Sequence, residues 1–289
     1  MSKHVLIIGH GYVGSALAGK LHEEGFAVSA INRSAESSED YELLQGDVSD
    51  PDSITPLKEK LSFPPDYIVH CASSGRGGAE AYRAVFIEGT THLLNTFPGV
   101  PIIFTSSTSV YGQTDGSIVT ETSETEPDRE TSRLLVEAER LICSNEGVSL
   151  RLAGIYGPDR SIYLKKILNG TANIEAGAVS RYVNQIHRDD AAQAIIFSIQ
   201  QHASAVGEIY NVSDDEPLSQ RECYERLAAF FEVPSPPEAP PNKNRKRAWT
   251  HKQVSNEKLK SLGWAPRYPT FLGALAKDAR LVESIREAL

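Results

Sequence analysis

Gly9, Gly11 and Gly14 stand in the run Gly9-His10-Gly11-Tyr12-Val13-Gly14, directly after the apolar HVLII and at the head of YVGSALAGKL. Three glycines spaced in this way between a strand and a helix suit one ligand chemistry, a pyrophosphate. The first glycine permits a tight turn, the second lets backbone approach the ligand closely, and the third lets the helix pack against the sheet. The anion then meets the N–H groups and positive dipole end of the helix head, at Tyr12, Val13 and Gly14. A second apolar run, AVSAIN, ends about 18 residues further on with Asn32, Arg33 and Ser34. A protein preferring NAD usually places Asp or Glu there to accept from the ribose hydroxyls, and such a carboxylate repels a 2′-phosphate. Arg33 and the Ser34 hydroxyl could instead hold that phosphate. The expected cofactor is therefore NADP, with NAD the alternative and Glu36 the residue able to reverse the preference.

These residues need a scaffold, and the first half of the chain supplies the pattern of one. Short β-branched runs at His4 to Ile8, Ala27 to Ile31, Tyr41 to Gln45, Tyr67 to His70, Ile102 to Thr105 and Ser149 to Leu152 read as strands. Helix-period segments at Tyr12 to Glu24, Ser53 to Lys60, Ala79 to Thr96 and Ser132 to Asn145 fall between most of them. Strands alternating with helices imply βαβ units and a parallel sheet covered on both faces. The expected fold is α/β, a Rossmann-type doubly wound parallel sheet of about six strands over residues 1–153, with a smaller mixed C-terminal substrate lobe over 154–289. Parts of about 183–212, with strand-like pieces at Arg181 to Ile186 and Ile209 to Val212, are expected to return to the core. Pro234 to Arg247 reads as a surface connection, and its NKNRKR cluster as a solvated loop that could also touch a phosphate.

Composition narrows the partners. With 289 residues, 40% hydrophobic and 23% charged, the chain can bury a sizeable core. A formal net charge of −9 gives no general attraction for nucleic acid or an anionic membrane, so a small-molecule substrate is expected. Cys71, Cys143 and Cys223 are too widely spaced for a disulfide framework or a zinc site and read as reduced thiols. The N-terminal apolar run is interrupted by Gly9, His10 and Gly11, and no run approaches the roughly 20 apolar residues of a membrane span. A cytoplasmic location is expected. No metal-ligand spacing and no Ser/His/Asp hydrolase elbow is evident.

Several further stretches resemble the extended short-chain dehydrogenase/reductase superfamily, in particular its NAD(P)-dependent epimerase/dehydratase group. GDVSDPDS is similar to the segment whose Asp47 and Val48 would contact adenine. HCASS, from His70 to Ser74, resembles the strand end passing under the cofactor, which brings in Cys71, Ala72 and Ser73. TSSTSVYG is similar to the strand carrying the family's catalytic serine, which maps to Ser107 with Thr108 beside it. RLAGIYGP, VNQIHRDDAAQA and YNVSDDEPLS extend the likeness through nearly the whole chain.

The resemblance also implies a Tyr-x-x-x-Lys relay in which Tyr moves the proton and Lys lowers its pKa and holds ribose. The corresponding EPDRETSRLLVEAER has no tyrosine: anchoring on Glu137 puts Arg129 and Arg133 at the two places, anchoring on Glu139 puts Thr131 and Leu135 there. Phe86 also stands where the family commonly has Asn before the Gly89-Thr90 pair. The chain thus looks like an atypical branch. Arg133 could replace the Lys in binding ribose, but a guanidinium does not act as a general acid near neutral pH. Tyr111 is the nearest phenol to Ser107 in the chain, as a proton donor or as a packing residue in a turn. Glu130 and Asp128 are further acids that could equally serve the helix N-terminus. His187, beside Asp189 and Asp190, reads as a structural hydrogen-bonding residue or a base. The resemblance implies hydride transfer on a small polar substrate, sugar nucleotides among them. The alternative is a catalytically silent NAD(P)-binding sensor or regulatory partner. A homodimer through the helices at Ala79 to Thr96 and Ser132 to Asn145 would follow the family's homodimers.

Overall fold

The structure is a computed structural model, and it describes residues 2–34, 37–75, 77–125, 129–177, 179–240 and 249–289. Strand β1 (His4–Ile8) is buried along its whole length, as a continuously apolar run in a sheet covered on both faces must be. Helix α1 (Tyr12–Glu23) follows, burying Gly14, Leu17, Ala18 and Leu21, a stripe of helical period that packs on the sheet. Then come β2 (Ala27–Asn32), β3 (Glu42–Gln45) and β4 (Tyr67–His70). Helix α2 is composite: Ala79–Tyr82, a π-helical stretch Arg83–Glu88, and Gly89–Thr96. It leads to β5 (Ile102–Ser107), α3 (Glu130–Cys143), β6 (Val148–Leu152), α4 (Arg188–Gln200) and β7 (Ile209–Val212).

The seven strands form one sheet in the order β7-β6-β5-β4-β1-β2-β3. The pairings from β3 through β5 are parallel, with Ile8 opposite Ile31 on one side and His70 on the other. Ser149 N donates to Glu208 O and Ala153 N to Val212 O, an equal advance along both chains that is also parallel. The fold is thus the expected Rossmann-type α/β sheet, with Ile209–Val212 as a seventh strand. The chain leaves β1 toward β2 and later crosses to β4 on the other side, so the order reverses beside β1. In an open α/β sheet that reversal creates the crevice at the carboxyl ends where ligands bind.

The π stretch was not foreseen. His70, fully buried at the end of β4, donates from Nε2 to Val85 O within it at 3.0 Å. Phe86, on the same turn, packs against Phe104 (5.8 Å between rings) and Tyr82 (5.2 Å). The position at which the family commonly has Asn is therefore filled by a core aromatic.

Two compact units divide the chain: 1–110, 126–151 and 191–210 in the first; 111–125, 152–190 and 211–289 in the second. In the second, Gly154–Tyr156 pairs in parallel with Gln185–His187, and the stretch read as one strand at Arg181 to Ile186 is two short ones, Tyr182–Val183 and Gln185–His187. Its core gathers Tyr156, Leu164, Tyr224, Leu227, Phe271 and Leu281. Asp190 ties down the 267–268 turn by accepting from Arg267 N (2.8 Å) and Tyr268 N (2.9 Å). His187 is fully buried between Tyr156 and Tyr268, its Nδ1 accepting from Asp189 N at 3.1 Å.

Burial pushes both His70 and His187 from the usual 6.5 down to about 4; the carboxylates of Asp189 and Asp278 oppose the shift at His187 without reversing it. The Nδ1 atom of His70 has no hydrogen-bond partner, so a second proton there would be both buried and unpaired. Both rings are thus neutral in the folded chain while the unfolded chain takes up protons below 6.5. Stability contributed by these rings is complete above pH 6.5 and lost as pH falls toward 4, by roughly 3 kcal/mol for each ring. Urea unfolding at pH 7.5, 5.5 and 4.5 should show that decline, and His70→Gln should flatten it. A slope that His70→Gln leaves unchanged would remove His70 from the effect.

Candidate functional site

The glycine turn closes the carboxyl end of β1. Gly9 has φ +102°, in the region that favours glycine, and the N–H groups of Gly9 and His10 both donate to Ile31 O (3.0 and 3.2 Å), strapping the turn to β2. A Cβ on Gly9 would lie 2.5 Å from Ala72 Cα, and one on Gly14 would lie 1.9 Å from Gly9 O. Cys71 Sγ donates to Gly9 O at 3.2 Å from the end of β4, and burial pushes this thiol up to about 12, which keeps it protonated. Its place is structural support beneath the turn.

Gly11 differs from its neighbours. A Cβ there would meet nothing within 4 Å, and Gly11 is the N-cap of α1 with no side chain capping the helix and no acidic residue in its first turn. The positive end of this 12-residue helix thus carries no side-chain cap, and its head suits an anion such as a pyrophosphate.

Beside it, a concavity of about 340 Å³ is lined by Arg33, Gln45, Gly46, Asp47 and Ser53. The floor is well organised. Gly46 N donates to Asn32 O (2.9 Å), Gln45 Nε2 to Arg33 O (3.0 Å), and Arg33 N to Asn32 Oδ1 (3.0 Å). These bonds fix the backbone at Arg33 and leave its guanidinium and Ser34 exposed. Asp47 Oδ1 accepts from Ser49 N and Oγ, and Val48 O accepts from His92 Nδ1 at 3.1 Å. Ala72 and Ser73 follow β4, with Ser73 Oγ accepting from Gly75 N. Ala35 and Glu36 lie outside the described residues, as do Asp128 and the basic cluster 242–247.

At the end of β5, Ser107 Oγ accepts from Ser109 N (3.2 Å), opening the 3-10 turn Thr108–Val110. Ser107 is half-buried and Thr108 buried. One residue earlier lies a network that sequence reading missed. Ser106 Oγ donates to Glu139 Oε1 at 2.5 Å, and Arg151 grips the same carboxylate with Nε (3.0 Å) and a terminal nitrogen (2.7 Å). All three are buried, joining β5, α3 and β6. The sequence signal was Arg151, a charged residue inside the strand run VSLRL.

This network distinguishes Glu139 from Glu137 in α3. Glu139 faces the sheet, whereas Glu137 is half-exposed and 3.8 Å from Arg83. Glu139 is thus the buried one of the two glutamates. Arg133 is exposed on the α3 face shared with Glu137 and Arg140, a spacing of four and seven residues, and away from Leu135 and Glu139. Tyr111 is fully buried in the second unit and its hydroxyl donates to Asn211 Oδ1 at 2.7 Å, so it is a core phenol. Glu130 is exposed in the first turn of α3, where its charge suits the helix dipole. Tyr111→Phe should cost about 1–3 kcal/mol in urea unfolding, because it strands a buried amide oxygen, and leave dinucleotide affinity unchanged.

Among the described residues no group of three or more His, Cys, Asp or Glu could hold a metal, and no helix is long and apolar enough to cross a membrane.

Sheet order, glycine turn and uncapped α1 together define a dinucleotide-binding α/β protein of the extended short-chain dehydrogenase/reductase type. The chain belongs to the NAD dependent epimerase/dehydratase family, whose model matches residues 5–213. Protein YeeZ of Escherichia coli (strain K12) is 28% identical over 281 residues, covering 92% of this chain and 97% of YeeZ. Short-chain dehydrogenase/reductase family 42E member 1 of Xenopus laevis is 28% identical over 268 residues, covering 78% of this chain and 67% of that protein. The solved UDP-glucose 4-epimerase of Thermus thermophilus, in complex with NAD, superposes with a TM-score of 0.79 at 21% identity, covering 99% of this chain and all of that one. This last likeness is one of fold.

Proposed function

We propose that the chain is an NADP(H)-preferring oxidoreductase or epimerase/dehydratase-like enzyme acting on a small polar, hydroxyl-bearing substrate, with sugar nucleotides among the candidates. The observation that carries the reading is Gly11, open and uncapped at the head of α1, next to the concavity edged by Arg33. The N–H groups of Tyr12, Val13 and Gly14 bind the pyrophosphate. Arg33 and Ser34 hold the 2′-phosphate, Asp47 and Val48 border the adenine, and Cys71, Ala72 and Ser73 lie under the nicotinamide half. When bound, the dinucleotide supplies hydride exchange with a substrate carbon. The hydroxyls of Ser107 and Thr108 donate to the substrate oxygen and polarise it as charge develops.

One observation favours a second reading, a catalytically silent NAD(P)-binding sensor: in neither register, Arg129 with Arg133 or Thr131 with Leu135, does a tyrosine stand at the relay place to move the proton near neutral pH. Titration with NADPH and NADH, followed by a turnover screen against carbonyl compounds and sugar nucleotides, separates the two. NADPH should bind about 10- to 100-fold more tightly than NADH, the value of one or two charge-assisted bonds, and Arg33→Asp should reverse the preference. Equal loss of both cofactors in Arg33→Asp would count against the NADP assignment. Tight binding with no turnover would favour the sensor.

A further inference from the structure

Lys252, in the second unit, is only 4% exposed, and its ammonium faces neutral acceptors alone. Nζ donates to Tyr111 O at 2.8 Å and to Thr250 Oγ1 at 3.1 Å. The backbone is pinned as well: Lys252 O accepts from Asn184 Nδ2 at 2.9 Å, and the neighbouring His251 N donates to Gln113 O. No carboxylate among the described residues pairs with it. The titratable groups around it are turned elsewhere. His251 Nδ1 accepts from Tyr182 N and its ring stacks on Tyr182; the Tyr111 hydroxyl goes to Asn211, Glu121 accepts from Asn211 N, and Asp115 accepts from Ser117.

An ammonium has three donors, and among the described residues two are used. In the facing segment, Gln113 Oε1 is itself buried with no partner among the described residues. A buried cation with neither counter-charge nor a full set of acceptors is costly, and burial pushes this amine down from 10.5 to about 8. A chain that only needed to pin Tyr111 O could do so with a neutral donor.

We propose that Lys252 is a carboxylate-recognition point in the second unit, its third N–H reserved for the acid group of a small polar ligand. A single ammonium with one free donor balances a monoanion one for one, whereas a phosphate dianion would bring an unmatched buried charge. Taking that ligand to be the substrate rests on the proposed enzymatic function, while the carboxylate site stands or falls by direct binding.

The test is NMR titration of the full chain labelled in its lysine side chains, with sodium acetate, sodium phosphate or sodium chloride at equal ionic strength. Acetate should raise the Lys252 midpoint by about 1–3 pH units, as an adjacent opposite charge does, and Lys252→Met should abolish acetate binding. A midpoint that acetate does not move, a larger shift with phosphate, or equal acetate binding by Lys252→Met would overturn the proposal. NADPH titration of Lys252→Met alongside keeps the two readings distinct: unchanged NADPH affinity beside failed acetate binding in the native chain sinks the carboxylate site alone.

Discussion

Gly11→Ala is expected to bind NADPH about 10- to 100-fold more weakly than the native chain while unfolding within about 1 kcal/mol of it. The two effects separate because a methyl at Gly11 meets no protein atom within 4 Å and so intrudes only on what lies over the turn. Its neighbours in the motif should behave otherwise. At Gly9, φ of +102° disfavours any side chain and the new Cβ would collide with the Ala72 backbone; at Gly14 the collision is with Gly9 O. Strain of about 1–3 kcal/mol and overpacking of a similar size make Gly9→Ala a stability mutant first and a binding mutant second. NADPH titration and urea unfolding of the three variants check the pattern. If Gly11→Ala bound NADPH as the native chain does, the cofactor would not lie over α1, and the proposed function would lose the observation that carries it.

The second large effect is expected at a residue that touches no ligand. Glu139→Ala leaves the Arg151 guanidinium buried without its bidentate partner and removes the acceptor of Ser106, which should lower stability by about 3–5 kcal/mol. Glu137→Ala, one turn face away and half-exposed, should change it by no more than about 0.5 kcal/mol. Converting Glu139 and Arg151 together to apolar residues of similar volume should recover much of the loss, since the cost lies in the stranded charge. Comparable urea midpoints for the Glu137 and Glu139 single variants would mean that Glu139 and Arg151 are not buried as a pair. Because the network ties α3 to the strand ending in Ser107, partial loosening in Glu139→Gln should also show as faster amide exchange in α3.

Much of the scaffold was legible because its signals are local. A short apolar run, a helix of period 3.6 and a glycine turn between them are each written within a dozen residues, so β1, α1 and β2 could be read to within a residue or so. Two elements were less legible. The helix at 79–96 reads as regular, yet widens to a π turn whose Val85 carbonyl meets His70, a partner 15 positions away. The strand at 181–186 reads as continuous but is divided, with Asn184 between the halves bonding to the distant 252–254 segment through both its side-chain amide atoms.

By itself, then, the sequence determined the α/β class, the glycine turn after β1, the Asn32-Arg33-Ser34 run that ends β2 and the lack of a tyrosine in the segment where the relay should stand. All are matters of residue type at short spacing. Only the tertiary structure decided which of two glutamates in one helix is buried, that Arg133 is exposed, that Tyr111 belongs to a core, and that Lys252 is buried without a counter-charge among the described residues. Each of these depends on which distant side chains surround a residue once the chain has packed. Burial and pairing are properties of that packing, and residues on the same helix with the same chemistry differ in them completely.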